Sequence, residues 1–483
     1  MNHPELSSRP SFHDFWDMSP AQREPVLLQA IAETHAWHYA RNRAYRRLVE
    51  SRGLGASLNG HEPTEPTTEP STVSNRTLAR VLRPTAQTFK SYIGAIGTAF
   101  PQERPALFLE WLADHLSIDL PRHRFGDFQQ SYPTLEKLLD DIEAKFNDLG
   151  FEVTTSSGTS GRATIMVRDR ETVNLAVECF VQTTLAIWGV GGEHNAIFMM
   201  PHQTRIAMAR TARFGAERLG MRGAGRAHFT IRFPADPDRV RIRTGMTFRP
   251  GWRGMLERRV LHPFARWMDE HYVQPRALAQ AIALLEEAER SGVPTLLFGS
   301  LVQLHALSRE LLRRGRGPNG RRIRLPANSL VGTGGGLKQQ YPFSPADIRQ
   351  DLQAVLEIEA PGHPEPVPIR DVMGMAEANW AAPQCEEGNY HLPPWVYVVV
   401  LDDDDEILSD ADVEGLLAFL DPIGGGRLFP SFFKTTDRVR LVNGGGRHDP
   451  ARRCPCGRDT SYLVQDTIRR VDLLDEAGCA GQL

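Results

Sequence analysis

Thr154-Thr155-Ser156-Ser157-Gly158-Thr159-Ser160-Gly161 is the stretch on which the reading of this chain turns. It follows the apolar Phe151-Glu152-Val153 and runs into the strand-like Ala163-Thr164-Ile165-Met166-Val167. Hydroxyl side chains donate hydrogen bonds, and glycines let successive backbone N–H groups point at one anion. That combination suits a polyphosphate. It is not a Walker A loop, because the Gly-Lys-Ser/Thr ending is missing. Taken alone, the same residues also describe a flexible polar turn between two strands.

Outward from this loop, apolar strands are expected at 195–201, 294–301 and 329–333. Helical spacing is expected at 171–188, 203–219, 276–290, 301–314 and 345–357, the last after Ser344 as N-cap. Strands alternating with helices imply an α/β fold around a largely parallel sheet. Upstream, residues 23–53 carry helical spacing that ends at Gly53, and residues 55–76 form a Pro/Thr/Glu-rich segment that reads as a disordered loop. After about 395 the strands become close-spaced, with Asp402–Asp405 at a hairpin turn. Three regions follow: a helical N-terminal region over 1–125, an α/β core over 126–394, and a smaller β-rich part with a flexible tail over 395–483.

The 483 residues carry a net charge of −3, which offers no electrostatic footprint for nucleic acid. No uncharged apolar run reaches the ~18 residues of a membrane span, and the N-terminus has neither a basic nor an apolar leader segment. The five cysteines do not read as a disulfide framework, so a cytoplasmic setting is expected. Only five of the 56 basic residues are lysines, which makes any missing catalytic lysine conspicuous.

Three further segments follow the hydroxyl-rich loop in order: Gly332-Thr333-Gly334-Gly335-Gly336, Met373-Gly374-Met375-Ala376-Glu377 and Thr436-Asp437-Arg438. Together the four resemble the phosphate loop, the adenine-pocket glycines, the Tyr-Gly-x-Thr-Glu motif and the ribose-binding aspartate of the adenylate-forming superfamily. Within it, the chain is most similar to the acyl-protein synthetases and the phenylacetate–CoA ligases. The N-terminal His38–Gly53, the Gly-Gly-Gly-Leu-Lys ending at Lys338, Gln384–Pro394 and the terminal Ala477-Gly478-Cys479-Ala480 carry that likeness.

The resemblance implies the N-terminal-domain fold of an adenylate-forming ligase, and a chemistry in which a carboxylate attacks the α-phosphorus of ATP. Ser156, Ser157, Gly158, Thr159, Ser160, Gly161 and Arg162 would wrap the phosphates. Gly334, Gly335, Gly336, Met373 and Gly374 would line the adenine pocket, and Asp437 with Arg470 would hold the ribose. Glu377 would hold Mg²⁺. Arg162 stands where the superfamily has a lysine, Met373 where it has an aromatic ring, and Ala376 where it has a threonine. Only 46 residues follow Asp437, so the mobile C-terminal domain with its lysine is expected to be truncated or absent. Lys338 or an arginine would then supply positive charge at the α-phosphate.

Cys385-x₅-His391 and Cys454-x-Cys456 offer three thiolates and an imidazole, a donor set for structural Zn²⁺, although Cys-x-Cys is tighter than the usual spacing. The other reading is a set of free cysteines beside a surface histidine. Cys179 lies in an apolar helical run and reads as buried. Cys479 is the fifth residue from the end, counting Leu483, where the acyl-protein synthetases carry their acyl group as a thioester; the other reading is an incidental tail thiol. The function expected is ATP-dependent activation of a carboxylic acid, of the fatty-acid class, followed by transfer to a protein cysteine and then to an acyl reductase or other acceptor. The alternatives are an acyl– or aryl–CoA ligase and a non-catalytic protein of the same fold.

Overall fold

The computed structural model describes residues 11–58, 73–156, 163–220, 227–245, 247–318, 320–335 and 341–471. They fall into two compact units. One comprises Thr154–Thr164 and Thr183–Ala376; the other comprises Met1–Val153, Ile165–Gln182 and Glu377–Leu474.

The first unit is built on β1 (Asn195–Pro201), β2 (Ala227–Ile231), β3 (Thr295–Gly299), β4 (Leu330–Gly334) and β5 (Ile369–Gly374). All pair in parallel, in the spatial order β2-β1-β3-β4-β5. The connections run through α1 (Ala207–Arg218), a long helical run α2 over 251–291, α3 (Leu301–Arg313) and α4 (Pro345–Val355). On one face Ile197, Met199, Leu297 and Val331 pack under Leu285, Leu304, Leu311, Ile348 and Leu352, all essentially buried. β3 and β4 are buried at every position, as a parallel sheet covered on both faces requires.

Helix ends follow the local chemistry. Ser344 accepts from the Asp347 N–H while Asp347 reaches back, a full capping box, and α4 starts there as expected. α1 starts later than the expected 203, because residues 203–206 are taken up by backbone pairing: Ala235 N–H donates to Gln203 O, and Thr155 N–H to Arg205 O. The run over 251–291 exceeds the expected 276–290. It holds two π-helical turns, Glu257–Leu261 and Asp269–Val273, each lying just before a proline, Pro263 and Pro275. A proline ring clashes with the carbonyl four residues back, and a widened turn absorbs that clash without ending the helix.

The second unit is a largely antiparallel sheet of β6 (Tyr390–His391), β7 (Tyr397–Leu401), β8 (Asp412–Asp421), β9 (Ser431–Val442), β10 (Tyr462–Leu463) and β11 (Arg469–Arg470). Its main order is β6-β10-β9-β8-β7, with β11 and Arg83–Pro84 also paired to β9. The N-terminal helices belong to this unit. The Phe12 and Trp16 rings lie 4.6 and 6.0 Å from Trp395, which is 1% exposed. The expected 23–53 helix is two helices, Pro20–Arg41 and Arg43–Ser51, broken where Asn42 caps the Tyr45 N–H, and Gly53 closes the second with φ 73°. Ser74 caps a helix over Asn75–Val81, so the irregular segment ends before 76; its residues 59–72 lie outside the described residues. Asp402–Asp405 form the turn between β7 and β8, with Asp402 accepting from the Asp404 and Glu406 N–H groups. Cys179 is buried, 3% exposed.

Gly332 shows how tightly the parallel sheet is filled. A Cβ there would sit 2.6 Å from the Phe298 ring and 3.0 Å from Trp188. Gly332→Ala is therefore expected to lower stability by about 1–3 kcal/mol in urea denaturation; unchanged stability would contradict this packing.

Candidate active site and metal centre

In the parallel-sheet unit, three of the four segments singled out in the sequence meet one edge of the sheet. The base of the hydroxyl-rich loop is fixed just beyond β1: Thr155 N–H donates to Arg205 O at 2.9 Å, and Thr155 bridges Ile206 in parallel. Ser156 and Thr164 close the neck of the loop, Ser156 N–H to Thr164 O at 3.1 Å and Thr164 N–H to Ser156 Oγ at 2.9 Å. The Gly-rich segment leaves the carboxyl end of β4, and Met373-Gly374 is the carboxyl end of β5, next to it with Gly334 opposite Val372.

Glycine is required at this edge. A Cβ on Gly334 would lie 3.0 Å from Val372 Cγ1, and Gly335 turns with φ 85°. The strand order reverses between β1 and β3, so the loop base sits by the switch point, where ligands of open α/β sheets bind outside the carboxyl ends. The Thr155 and Thr333 hydroxyls are buried there without a hydrogen-bond partner among the described residues. Both lay inside the flagged segments, yet neither was singled out. Ser157, Gly158, Thr159, Ser160, Gly161, Arg162, Gly336, Lys338 and Cys479 lie outside the described residues.

The antiparallel-sheet unit positions Asp437 by an irregularity. Leu416 opposes Arg438 and Ala418 opposes Lys434, so Leu417 alone faces Thr435, Thr436 and Asp437. Thr435 holds this bulge together, donating its hydroxyl to Leu417 O at 2.9 Å and accepting from Asp437 N–H at 3.0 Å. Bulges re-aim side chains at sites. Arg470 on β11 is the direct register partner of Asp437, so the two residues matched separately in the sequence stand side by side. Glu377 is half-buried, three residues beyond the end of β5.

The cysteine and histidine pairs converge within that same unit. The ligand atoms of Cys385, His391, Cys454 and Cys456 all lie within 4.8 Å of one another. Two similar turns deliver the thiols. Gly388 N–H donates to Cys385 O and Gly457 N–H to Cys454 O, with φ of 82° at both glycines. His391, on β6, reaches the thiols with Nε2, 3.2 Å from Cys456 Sγ, while its Nδ1 is hydrogen-bonded to Thr460 Oγ1 at 2.8 Å. That bond orients the ring, as a supporting partner of a metal ligand does. Thr460 and Asn389, whose amide lies 3.4 Å from Cys454 Sγ, were not singled out in the sequence.

The Cys385 and Cys454 sulfurs are 3.9 Å apart, close to the ~3.8 Å edge of a tetrahedron with Zn–S bonds of about 2.3 Å. Burial and the neighbouring Cys454 and Cys456 push the Cys385 thiol up to about 12. Burial and then Arg458 push His391 down to about 4, which keeps it neutral and able to ligate. Burial opposes ionisation of Cys456 too, but hydrogen bonds from Arg458 and from the other two thiols outweigh it and lower its pKa. A divalent cation would reverse the penalty on gathering thiolates here. The set fits a closed, structural Zn²⁺ site.

No family model matches the chain. It is similar to the long-chain-fatty-acid–luciferin-component ligase of Aliivibrio fischeri, 27% identical over 151 residues, which is 31% of this chain and 35% of that protein. The chain thus matches about a third of the length of that curated relative. Among solved structures it resembles 2-hydroxyisobutyryl-CoA ligase in an open conformation, bound to 2-HIB-AMP and CoA, with a TM-score of 0.54 and 14% identity, covering 98% of this chain and 81% of the other. The same ligase in its thioesterification state gives a TM-score of 0.57 and 15% identity, covering 99% and 74%. The chain therefore has the α/β fold of an adenylate-forming ligase, with an N-terminal helical region and a C-terminal β-sheet region.

The clustered donors lead to a measurable expectation. Protein purified without added metal should hold about one zinc per chain by elemental analysis, and Cys454→Ser should lose it together with at least about 3 kcal/mol of stability, a fraction of what zinc gives a zinc finger. A metal-free, chelator-insensitive native protein would contradict a zinc centre.

Proposed function

We propose that this protein uses ATP to activate a carboxylic acid as an acyl-adenylate and passes the acyl group to a thiol, with coenzyme A as the acceptor. The observation that carries the reading is the gathering of the hydroxyl-rich loop base, the end of β4 at Gly334-Gly335 and Met373-Gly374 at one carboxyl edge of the parallel sheet. Its coincidence with the fold of a CoA ligase bound to an acyl-adenylate and CoA adds support.

The roles are proposed from the charge each residue carries and from its match to the superfamily's motifs. The substrate carboxylate attacks the α-phosphorus and pyrophosphate leaves, so catalysis rests on holding the two reactants in line and neutralising anionic charge. Ser156 and the loop it anchors, Ser157 to Arg162, would bind the phosphates, the last with a fork of N–H donors rather than the point charge of a lysine. Gly334, Gly335, Gly336, Met373 and Gly374 would line the adenine; thioether and backbone there would replace ring stacking. Asp437 would accept hydrogen bonds from both ribose hydroxyls, with Arg470 beside it. Glu377 offers the hard oxygen donor that fits Mg²⁺, which when bound neutralises phosphate charge. Lys338 would add positive charge at the α-phosphate.

A second reading, transfer to Cys479 of the chain itself, is favoured by the partial match to a fatty-acid ligase, and it would make a long-chain fatty acid the substrate class. Incubation with ATP, Mg²⁺ and a panel of fatty, aromatic and hydroxy acids, with and without coenzyme A, separates the two by mass spectrometry. Acyl-CoA formed equally well by Cys479→Ala is the expected outcome. An acyl adduct on the protein that vanishes in Cys479→Ala would replace coenzyme A by the protein thiol. In the same assay Glu377→Gln is expected to lower kcat by about 100-fold or more, and Asp437→Ala to raise the KM for ATP by about 10–100-fold. Full activity in both variants would refute the assigned site.

A further inference from the structure

The first part of the helical run α2, residues 251–273, presents its polar side to the protein and its apolar side outward, whereas the remainder buries Ala281, Ile282 and Leu285 in the core. Inward, Arg241 donates to both Glu257 carboxylate oxygens at 2.8 Å, and Arg249 lies 3.4 Å from Glu257 and 3.7 Å from Asp238. These four side chains are only 6–9% exposed. His262 Nδ1 meets Ile242 O at 2.7 Å and Arg243 pairs with Asp269 at 3.3 Å, both on the same side. Gly254 approaches so closely that a Cβ would fall 1.7 Å from Arg249 O. The contact of α2 with the preceding helix, Pro237–Thr244, is thus made by ion pairs and backbone.

Outward, the polarity is inverted. Eight of the thirteen large hydrophobic side chains exposed among the described residues lie between 252 and 272. Trp252, Met255, Val260, Phe264 and Trp267 follow steps of three to five residues, the longest across the π-helical turn Glu257–Leu261, so they share one side of the helix. Trp252 is 69% exposed and Phe264 58%. Phe264 stacks on Trp267, and Trp267 meets Tyr272 edge-on, so the stripe is ordered before anything covers it. A contiguous apolar stripe of this kind marks an interaction surface. Charge indicates what covers it. Residues 249–276 hold six arginines against three acidic residues, and Arg253, Arg258, Arg259 and Arg276 are exposed beside the stripe. A second copy of this face would bring those arginines against one another. Anionic headgroups would be complementary to them, while Trp and Tyr suit the boundary between headgroups and acyl chains.

We propose that residues 251–273 of α2 dock on an anionic lipid surface by their outward apolar stripe, lying in the plane of the interface without crossing it. No helix among the described residues is long and apolar enough to span a membrane. This placement does not depend on the chemistry proposed above. Sedimentation of the full chain with vesicles tests it, comparing equal parts phosphatidylglycerol and phosphatidylcholine with phosphatidylcholine alone. Binding to the anionic vesicles, with a blue shift of tryptophan emission, is expected. Arg258→Gln with Arg259→Gln should weaken it about thirtyfold, and Phe264→Glu with Trp267→Glu should abolish it while far-UV circular dichroism and melting stay unchanged. No binding by the native chain, binding indifferent to anionic lipid, or binding unaffected by either double variant would overturn the proposal. So would self-association, seen in sedimentation velocity, that the Phe264 and Trp267 variants remove.

Discussion

A parallel sheet covered on both faces leaves no face for chemistry, and the rest of this structure follows from that constraint. β1, β3 and β4 are almost wholly buried. Functional groups can emerge only where the strands end, and ligands of open α/β sheets bind outside the carboxyl ends. The Thr155 bridge to Ile206, the turn at Gly335 and the end of β5 at Gly374 are each built at that edge. The glycines are there because neighbouring strands and aromatic rings leave no room for a Cβ at 332 or 334.

The antiparallel unit meets a different need. A flat two-stranded ladder would send Asp437 and its neighbours alternately to the two faces of the sheet. The bulge opposite Leu417 breaks that alternation, and Thr435 supplies the hydrogen bonds that the ladder loses. The same unit gathers three thiols and an imidazole through two glycine-ended turns far apart in sequence, joined by the pairing of β6 with β10. Neither feature supplies much apolar burial. Each fixes the position of polar groups, on a sheet whose stability comes from residues such as Phe419, Phe432 and Phe433.

Much of this was legible in the sequence, and the exceptions have physical causes. Asn195–Pro201 and Leu330–Gly334 are short apolar runs between helical patterns, and Ser344 with Asp347 spells a capping box, so these elements announce themselves locally. Cys385, His391, Cys454 and Cys456 were found as pairs, but only the fold shows them as one cluster. The helix over 251–275 was not legible, because Pro263 and Pro275 look like breakers and its apolar residues face outward rather than into the core. The association of Phe12 and Trp16 with Trp395, nearly 400 residues away in sequence, has no local signature at all. The bulge at Asp437 depends on register, which a single strand does not encode.

The central claim is that the acid is activated by joining its carboxylate to the α-phosphorus. The most direct test follows the oxygen. With a panel of carboxylic acids labelled with ¹⁸O in the carboxyl group, ATP, Mg²⁺ and coenzyme A, one labelled oxygen should appear in the AMP released. Label in inorganic phosphate with release of ADP, or unlabelled AMP, would contradict an acyl-adenylate and with it the assignment of this carboxyl edge.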